Sequence, residues 1–474
     1  MEKATQIAVV ASPGFSHLVP LLEFFRRLVH LHPDFQVTCI IPALESPPSS
    51  SIAYLQTLPS NIDSILLPPI PKEKLPQGVI PGVQVQLTVT LSLPYILNEL
   101  KSMKSRNGLA ALVVDGFAFE VLDFASELNI FSYIYLPHAA MILSLYYYSL
   151  TLDETVSSEF RDLKEPIKFP GCVPIPGKDL PAPFQDRSSL GYKQFLERAR
   201  KLRLADGVLL NSFQELEPDT VRAIHEEIQG KEKKPQIYLV GPIIQSGSSN
   251  EANGSDHSVC LTWLNNQPHK SVLYVSFGSG GTLSQDQTNE LAHGLELSET
   301  RFLWVLRAPS KVSSAAYLDT LNQNPLDFLP EGFLERTKER GLVVPSWAPQ
   351  IPILKHSSVG GFLSHCGWSS TLESIVHGVP LITWPLFAEQ RMNAVFLNDG
   401  LKVALRPKFN ENKGMVEREE IAKVVKSLIN DEESSEIRMR IKVLKDSAAN
   451  ALKEDGSSSM NLSTFAMNLR KTCS

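Results

Sequence analysis

Short apolar runs that alternate with amphipathic stretches organise the first half of the chain. The runs at 7–11, 35–41 (FQVTCII) and 111–117 (ALVVDGF) are typical of buried β-strands. After the first run, Pro20 suits the first turn of a helix, and the residues that follow place apolar side chains on one helical face. This strand–turn–helix rhythm predicts a parallel sheet covered by helices on both sides.

The same rhythm restarts in the second half. Apolar runs at 271–277 and 301–307 predict strands, and Ser284 with Gln287 predicts a helix that begins with a capping box. Residues 308–325 are polar and predict a surface loop. Amphipathic stretches predict three late helices, near 416–430, 434–452 and 459–470.

These patterns divide the chain of 474 residues, which is too long for one ordinary core. We expect an N-terminal domain over 1–242, a Ser/Gly/Asn-rich linker over 243–257 and a C-terminal domain over 258–455. The last segment, 456–474, is expected to form a helix that packs back on the N-terminal domain.

Composition then excludes several classes of protein. The net charge of −6 and the lack of a Lys/Arg run argue against nucleic acid as a partner. The five cysteines are odd in number and have no zinc-ligand spacing, which favours a reduced, cytoplasmic protein. The first apolar run is too short for a secretory signal, and the apolar segment 131–150 carries a proline, a histidine and hydroxyls, which indicate core and not a membrane span.

The segment 360–380, GGFLSHCGWSSTLESIVHGVP, carries candidate anion-binding chemistry. A strand ends near Ser364, and a short helix is expected from near Ser370 to Gly378. The free N–H groups of a helix N-terminus attract phosphate, His365 can donate a ring N–H, and Gly367 allows close approach of the backbone. From these residues alone, ordinary helix capping remains an alternative.

The wider block 347–390 reads WAPQIPILKHSSVGGFLSHCGWSSTLESIVHGVPLITWPLFAEQ. It closely resembles the signature of the plant family-1 UDP-sugar glycosyltransferases, and VSFGSGGTLSQDQTNELAHGLELSETRFLWVLR, PGCVPIPGKDL and LNSFQELEP are in the style of the same family. The chain looks most like the branch that acts on small phenols such as hydroquinone and phenylpropanoid alcohols. This resemblance implies the GT-B fold, with two doubly wound Rossmann-like domains facing across a cleft, an inverting transfer, UDP-glucose as donor and no metal or other cofactor.

The resemblance also implies that the N-terminal domain, 1–242, binds the acceptor and that the C-terminal domain, 258–455, carries a UDP-sugar site. Trp347 would stack on the uracil, the backbone of Ala348 would bond its edge, and Gln350 and Glu373 would reach the ribose hydroxyls. The phosphates would lie at the helix N-terminus, and the sugar hydroxyls at the next strand-to-helix turn. The remaining residues assigned to this site are Ser279, His365, Gly367, Trp368, Ser369, Ser370, Glu389 and Gln390.

Two positions depart from the family pattern. Ser369 stands where the family usually has Asn, and a serine lacks the donors of the amide. His138 stands where relatives tend to have Ser or Thr, which puts a hydroxyl contact with the sugar in doubt. Neither change removes the helix-terminus site.

Transfer to a hydroxyl needs a base, and His17 in SPGFSHLVP, expected on the loop after the first strand, is the candidate. Asp115 ends the buried run ALVVD and is the candidate partner that orients the imidazole. From the residues alone, His17 could be structural and Asp115 a loop cap. The resemblance implies the catalytic roles, and it points to an aromatic acceptor pocket for which the candidates are Phe117, Phe119, Tyr146 and Phe184.

The sequence therefore predicts a UDP-glucosyltransferase that makes β-O-glucosides of small phenolic acceptors of hydroquinone, phenylpropanoid or flavonoid type. It is expected to be a plant enzyme of secondary metabolism that binds no nucleic acid, does not insert into membranes and works as a monomer. The alternatives are a transferase of another UDP-sugar and a UDP-sugar sensor without turnover. A nicotinamide oxidoreductase is disfavoured because Leu283 occupies the place of the third glycine in the FGSGGTL turn.

Overall fold

The computed structural model describes residues 4–228, 235–245, 254–314, 323–430 and 434–471. They form two compact units. The first comprises Met1–Lys178, Pro183–Ser246 and Ala448–Ser474, and the second comprises Asp179–Ala182 and Gly247–Ser447. Most of the expected linker, part of the expected loop at 308–325, and Cys473 lie outside the described residues.

The first unit is built on a parallel sheet of seven strands in the order β3-β2-β1-β4-β5-β6-β7. Its strands are β1 Thr5–Val10, β2 Phe35–Ile41, β3 Ile62–Leu66, β4 Ala111–Asp115, β5 Phe131–Leu136, β6 Gly207–Leu210 and β7 Gln236–Leu239. The strand order reverses direction between β1 and β4, which pair in register from Ile7↔Ala111 to Val10↔Val114. Ligands of open α/β sheets bind at the carboxyl ends of strands at such a reversal.

Helices connect these strands, as the sequence pattern predicted. They are α1 Phe15–Leu31, α2 Ser49–Leu55, α3 Pro81–Asn107, α4 Leu122–Glu127, α5 Ala140–Thr155, α6 Leu190–Leu202 and α7 Pro218–Ile228. The apolar segment 131–150 forms β5 and most of α5, and its side chains are largely buried. No helix in the described parts of the chain is long and apolar enough to span a membrane.

The start of α1 differs from the expectation. The helix begins at Phe15, after Gly14, so Pro20 lies inside the helix and not in its first turn. The first turn is closed by N–H groups of His17 and Leu18, which donate to the Gly14 carbonyl at 3.2 and 3.1 Å. His17 is therefore held on the first turn of a helix, whereas the sequence placed it on a loop.

The C-terminal helix α16, Ser457–Arg470, packs in the core of the first unit. Phe465 meets the rings of Tyr133, Tyr238 and Phe24 at centroid distances of 5.0, 5.6 and 6.0 Å. Each aromatic residue buries a large apolar area and such pairs add about 0.5–1.5 kcal/mol beyond that area. The chain end thus supplies core residues to the sheet formed by its beginning.

The second unit has a parallel sheet of six strands in the order β10-β9-β8-β11-β12-β13. The strands are β8 Val272–Ser276, β9 Arg301–Leu306, β10 Gly341–Pro345, β11 Val359–Ser364, β12 Leu381–Thr383 and β13 Ala404–Leu405. The helices are α8 Gly254–Asn265, α9 Gln285–Ser298, α10 Phe333–Thr337, α11 Gln350–Lys355, α12 Trp368–His377, α13 Gln390–Val395, α14 Arg418–Asn430 and α15 Ser434–Ala451. The strand order reverses between β8 and β11.

The start of α9 confirms half of the predicted capping box. The Ser284 hydroxyl accepts a hydrogen bond from the Gln287 N–H at 3.2 Å. The Gln287 side chain does not return to the cap; it bonds the N–H and C=O of Val416 at 2.9 Å each. The amide is used to join α9 to the segment before α14, a tertiary contact that local pattern does not reveal.

Candidate active site

A histidine and an aspartate meet at the strand-order reversal of the first unit. His17 follows β1 and Asp115 ends β4, and these strands are neighbours, so the two side chains lie together. The His17 Nδ1 and Asp115 Oδ2 atoms are 2.9 Å apart, and Asp115 is fully buried whereas the His17 side chain is 14% exposed. The residues that the sequence paired at a distance of 98 positions are thus in hydrogen-bond contact.

The environment keeps this aspartate ionised. Burial by itself raises the pKa of Asp115, but the neighbouring His17 and the Phe117 N–H, which donates to Oδ1 at 2.9 Å, lower that pKa below its ordinary value. A carboxylate is only an acceptor, so His17 must carry a proton on Nδ1. In the neutral imidazole the lone pair is then on Nε2, which is the arrangement of a general base.

A second histidine lies beside the pair. The His138 and His17 rings are 6.2 Å apart between centroids. Burial, and next the charge of His17, lower the pKa of His138 to about 3, so this imidazole is neutral at physiological pH. His138 brings a neutral ring to the position where the family pattern led us to expect a hydroxyl.

The aromatic residues predicted for the acceptor pocket share one neighbourhood of the first unit. Phe117 is half-buried and lies 5.0 Å from the His17 ring. Phe119, Tyr146 and Phe184 are buried. Phe195 of α6 links two of them, since it stacks on Tyr146 at 4.3 Å and meets Phe184 edge-on at 4.8 Å.

Sequence reasoning missed two members of this neighbourhood, Phe195 and Arg198. The Arg198 guanidinium carbon lies 4.7 Å from the centre of the Phe117 ring. Both residues are on α6, far along the chain from Asp115, and their helical spacing is that of any amphipathic helix. No local signal could have assigned them to a site.

In the second unit, the helix of the predicted anion site begins earlier than expected. α12 starts at Trp368, preceded by Gly367, and not near Ser370. Its N-cap has no side-chain hydrogen bond, so the first N–H groups of the helix are not capped by the residue before it. Gly378 ends the helix in the left-handed region, at φ 71°, as the sequence predicted.

His365 lies between two glycine turns, one after β8 and one at the start of α12. A Cβ on Gly278, whose φ is +72°, or on Gly367 would come within 2.5 Å of the imidazole. Burial, and then the charge of Arg307, lower the pKa of His365 to about 4, and its buried Nδ1 has no hydrogen-bond partner among the described residues. Because both positions are glycines, the neutral imidazole of His365 can pack directly against the two turns.

Three polar residues predicted for the ribose and phosphates form one network. The Gln350 Nε2 donates to the Ser370 hydroxyl at 2.9 Å and to the Glu373 Oε2 at 2.6 Å. Burial raises the pKa of Glu373 to about 7, against the opposing effect of the Gln350 hydrogen bond. This carboxyl changes its charge near neutral pH.

The remaining donor-site residues differ in exposure. The Trp347 residue is 38% exposed and presents an aromatic face, Ala348 is buried, Ser279 is exposed and Ser369 is half-buried. Trp368 is buried, with its ring 6.5 Å from that of Phe396, so its side chain belongs to the core of the unit.

The residues predicted for the sugar lie at the turn after β12. The Gln390 Oε1 accepts from the N–H groups of Leu386 and Phe387 at 2.8 and 3.0 Å, which leaves its NH₂ group as the donor to a ligand. The Glu389 Oε1 accepts from Asn393 at 3.4 Å. Within the described ranges, no group of three or more His, Cys, Asp and Glu side chains is arranged to hold a metal ion.

The fold and these sites define a class of protein: an enzyme of two Rossmann-like domains that uses a nucleotide-activated sugar. The family model described as "UDP-glucoronosyl and UDP-glucosyl transferase" matches residues 242–454. The chain is 50% identical to hydroquinone glucosyltransferase of Rauvolfia serpentina over 98% of each chain. The chain belongs to this family of UDP-dependent glycosyltransferases and has its GT-B fold.

Two solved structures are similar to this chain over nearly its whole length. Phytolacca americana UGT2 complexed with UDP-2-fluoro-glucose and pterostilbene is 46% identical with a TM-score of 0.90, over 98% of this chain and 100% of that one. A Polygonum tinctorium UDP-glucosyltransferase capable of glucosylating indoxyl, in complex with 3,4-dichloroaniline, is 44% identical with a TM-score of 0.90, over 98% of this chain and 99% of that one.

Proposed function

We propose that this enzyme transfers glucose from UDP-glucose to a hydroxyl of a small phenolic acceptor, with inversion, to give a β-O-glucoside. The observation that carries the proposal is the His17–Asp115 pair, with its 2.9 Å contact, in a chain of this family. The aromatic residues around the pair support a phenolic acceptor. One relative is named for hydroquinone and another is complexed with pterostilbene, and both support the same substrate class.

The donor is proposed to bind in the second unit. Trp347 stacks on the uracil, with the backbone of Ala348 at its edge, and the Gln350–Glu373 pair holds the ribose. The N-terminus of α12, with His365, Ser369 and Ser370, holds the diphosphate, and Ser279 adds a hydroxyl. Glu389 and the NH₂ group of Gln390 bind the sugar hydroxyls, which favours glucose.

The transfer is proposed as a single displacement. His17 Nε2 takes the proton of the acceptor hydroxyl while the acceptor oxygen bonds to C1 of glucose. The bond from C1 to the phosphate oxygen breaks on the opposite face, and UDP leaves with the electron pair. Asp115 stabilises the imidazolium that forms on His17, much as a buried carboxylate does in hydrolase triads.

The leaving UDP gains negative charge as this bond breaks. The N-terminus of α12 offers about half a positive charge, and the neutral His365 offers an N–H, so both lower the energy of the departing diphosphate. We propose that these groups take the part that a metal plays in other transferases. The protein is further proposed to act as a cytoplasmic monomer; no disulfide joins the four described cysteines, which suits a reducing compartment.

The test combines activity and binding. Purified protein with UDP-glucose and a panel of phenols should release UDP and form a glucoside in equal amounts. His17→Ala should abolish the glucoside while UDP-glucose binding, measured by calorimetry, stays close to wild type. His30→Ala, on the exposed side of the same helix, is the matched control and should keep activity.

Three results would contradict the proposal. Binding of UDP-glucose without UDP release for any phenol would make the protein a sensor, and turnover with another UDP-sugar alone would change the donor. Loss of UDP-glucose binding in His17→Ala would show that His17 serves the donor and not the acceptor.

A further inference from the structure

A cation lies among the aromatic residues next to His17, in a place that the transfer chemistry does not use. The Arg198 guanidinium carbon is 4.7 Å from the Phe117 ring centre, 5.8 Å from that of Phe195 and 6.0 Å from that of Phe119. Its Nη1 donates to the Tyr146 hydroxyl at 3.4 Å. Arg198 itself is half-buried.

No carboxylate of the described residues pairs with this guanidinium, and its buried Nε has no hydrogen-bond partner there. Two other half-buried arginines have carboxylate partners, Arg187 with Asp153 at 3.0 Å and Arg406 with Asp179 at 2.7 Å. The half-buried Arg438 instead donates to backbone carbonyls, to that of Gly360 at 2.9 Å, whereas Arg198 faces aromatic rings. A partly desolvated cation without an anion costs free energy. Aromatic faces offset part of that cost, since each cation–π contact is worth about 0.5–2 kcal/mol.

The position of Arg198 relative to the proposed base gives this charge a use. Phe117 contacts both groups: its ring centre is 5.0 Å from that of His17 and 4.7 Å from the Arg198 guanidinium carbon. The base and the cation are thus separated by no more than the sum of these two distances. One hydroxylated benzene ring with a short acidic side chain spans such a gap.

We propose that Arg198 selects phenolic acceptors that carry a carboxylate, of the hydroxybenzoate or hydroxycinnamate kind, by binding the carboxylate while the phenolic hydroxyl lies at His17. The inference rests on the proposed function and specifies its acceptor. A guanidinium binds a carboxylate through two parallel N–H donors, which sets orientation as well as affinity. The Arg198 Nη groups have that geometry, with Phe117 as the flat surface beneath the acceptor ring.

This orientation also determines the product. The acid group is held on the cation, so its oxygens are kept from the base, and the hydroxyl at the opposite end attacks C1. The product is a phenolic O-glucoside with its carboxylate free, and not a glucose ester. The phenol proton passes to His17, the phenolic oxygen bonds to C1 of glucose, and the bond from C1 to the phosphate oxygen breaks as UDP leaves with the electron pair.

The experiment compares acceptors that differ only in charge. The pairs are 4-hydroxycinnamate with 4-hydroxycinnamide, and 4-hydroxybenzoate with 4-hydroxybenzamide. For wild type, kcat/KM should be at least about tenfold higher for the acid of the better pair, as a charge-assisted hydrogen bond implies. Arg198→Met should reduce that ratio to near one. Arg198→Lys should retain part of the preference for the acid, because lysine keeps the positive charge but lacks the two parallel N–H donors of the guanidinium.

Controls separate this inference from folding and from the proposed function. The KM for UDP-glucose should change little in the variants. If Arg198→Met does not fold, the acid-to-amide ratio of kcat/KM in wild type and in Arg198→Lys tests the inference. If no phenol is glucosylated, the proposed function fails, and binding of acid and amide to the enzyme–UDP complex still tests Arg198. A wild type without preference for the acid, a preference that survives in Arg198→Met, or a glucose ester as main product would overturn the inference.

Discussion

Replacing Glu373 by Gln tests whether the protonation state of this carboxyl controls UDP-glucose binding. The carboxyl is buried, accepts a 2.6 Å hydrogen bond from Gln350, and has its pKa raised to about 7 by burial. Ribose hydroxyls donate hydrogen bonds, and an ionised carboxylate accepts them better than a protonated one. Binding of UDP-glucose should therefore favour the ionised form of Glu373 and release a proton below the pKa.

The size of the effect follows from that pKa. One pH unit below it, about one carboxyl in ten is ionised, so between pH 8 and pH 6 affinity should fall by up to about tenfold, or about 1.4 kcal/mol, toward the affinity of the protonated form. Above pH 7 the affinity should level off. Near pH 7 about half of the sites hold a proton, so binding should release roughly half a proton per site.

Calorimetry of UDP-glucose binding in buffers of different ionisation enthalpy measures these protons directly. UDP-glucose is preferable to UDP because its diphosphate carries no group that titrates near neutrality. Glu373→Gln imitates the protonated carboxyl, so it should bind about tenfold more weakly than wild type at pH 8, approach it at pH 6 and release no proton. Glu335→Gln, which changes an exposed carboxylate paired with Lys338 in the same unit, is the matched control.

The reasoning is refuted if wild type binds UDP-glucose equally well from pH 6 to pH 8, or if Glu373→Gln keeps the same proton release. The first result would show that the ribose does not need the carboxylate. The second would assign the proton to another group.

Two further substitutions test the proposed geometry. Asp115→Asn should lower kcat by about a hundredfold or more, because an amide does not stabilise the imidazolium of His17, while UDP-glucose binding stays unchanged; a wild-type kcat would remove Asp115 from the mechanism. Gly278→Ala should weaken UDP-glucose binding at least about tenfold, because its Cβ would lie 2.5 Å from His365 and push the ring aside. Gly414→Ala has a similar backbone strain, at φ +66° with nothing within 4 Å, so equal loss of binding in both variants would mean that strain alone is responsible.

Much of the fold was predictable because its signals are local. A buried strand such as 35–41 reads as a continuous apolar run, and β2 has these bounds in the structure. The late helices near 416–430 and 434–452 appear as α14 and α15 within two residues of their predicted ends. Helix starts were less predictable: Pro20 does not begin α1 and Ser370 does not begin α12, since backbone geometry at Gly14 and Gly367 sets those starts.

By itself, the sequence determined the alternation of strands and helices and the strand ends at which the candidate functional residues lie. Through the 347–390 block it also determined the family. Only the tertiary structure decided that α6 brings Arg198 over Phe117, that Gln350 joins Ser370 to Glu373, and that burial moves the Glu373 pKa to about 7. The physical reason is that periodicity reports which face of an element is buried, whereas desolvation and hydrogen bonding depend on which distant residues fill the space around a side chain.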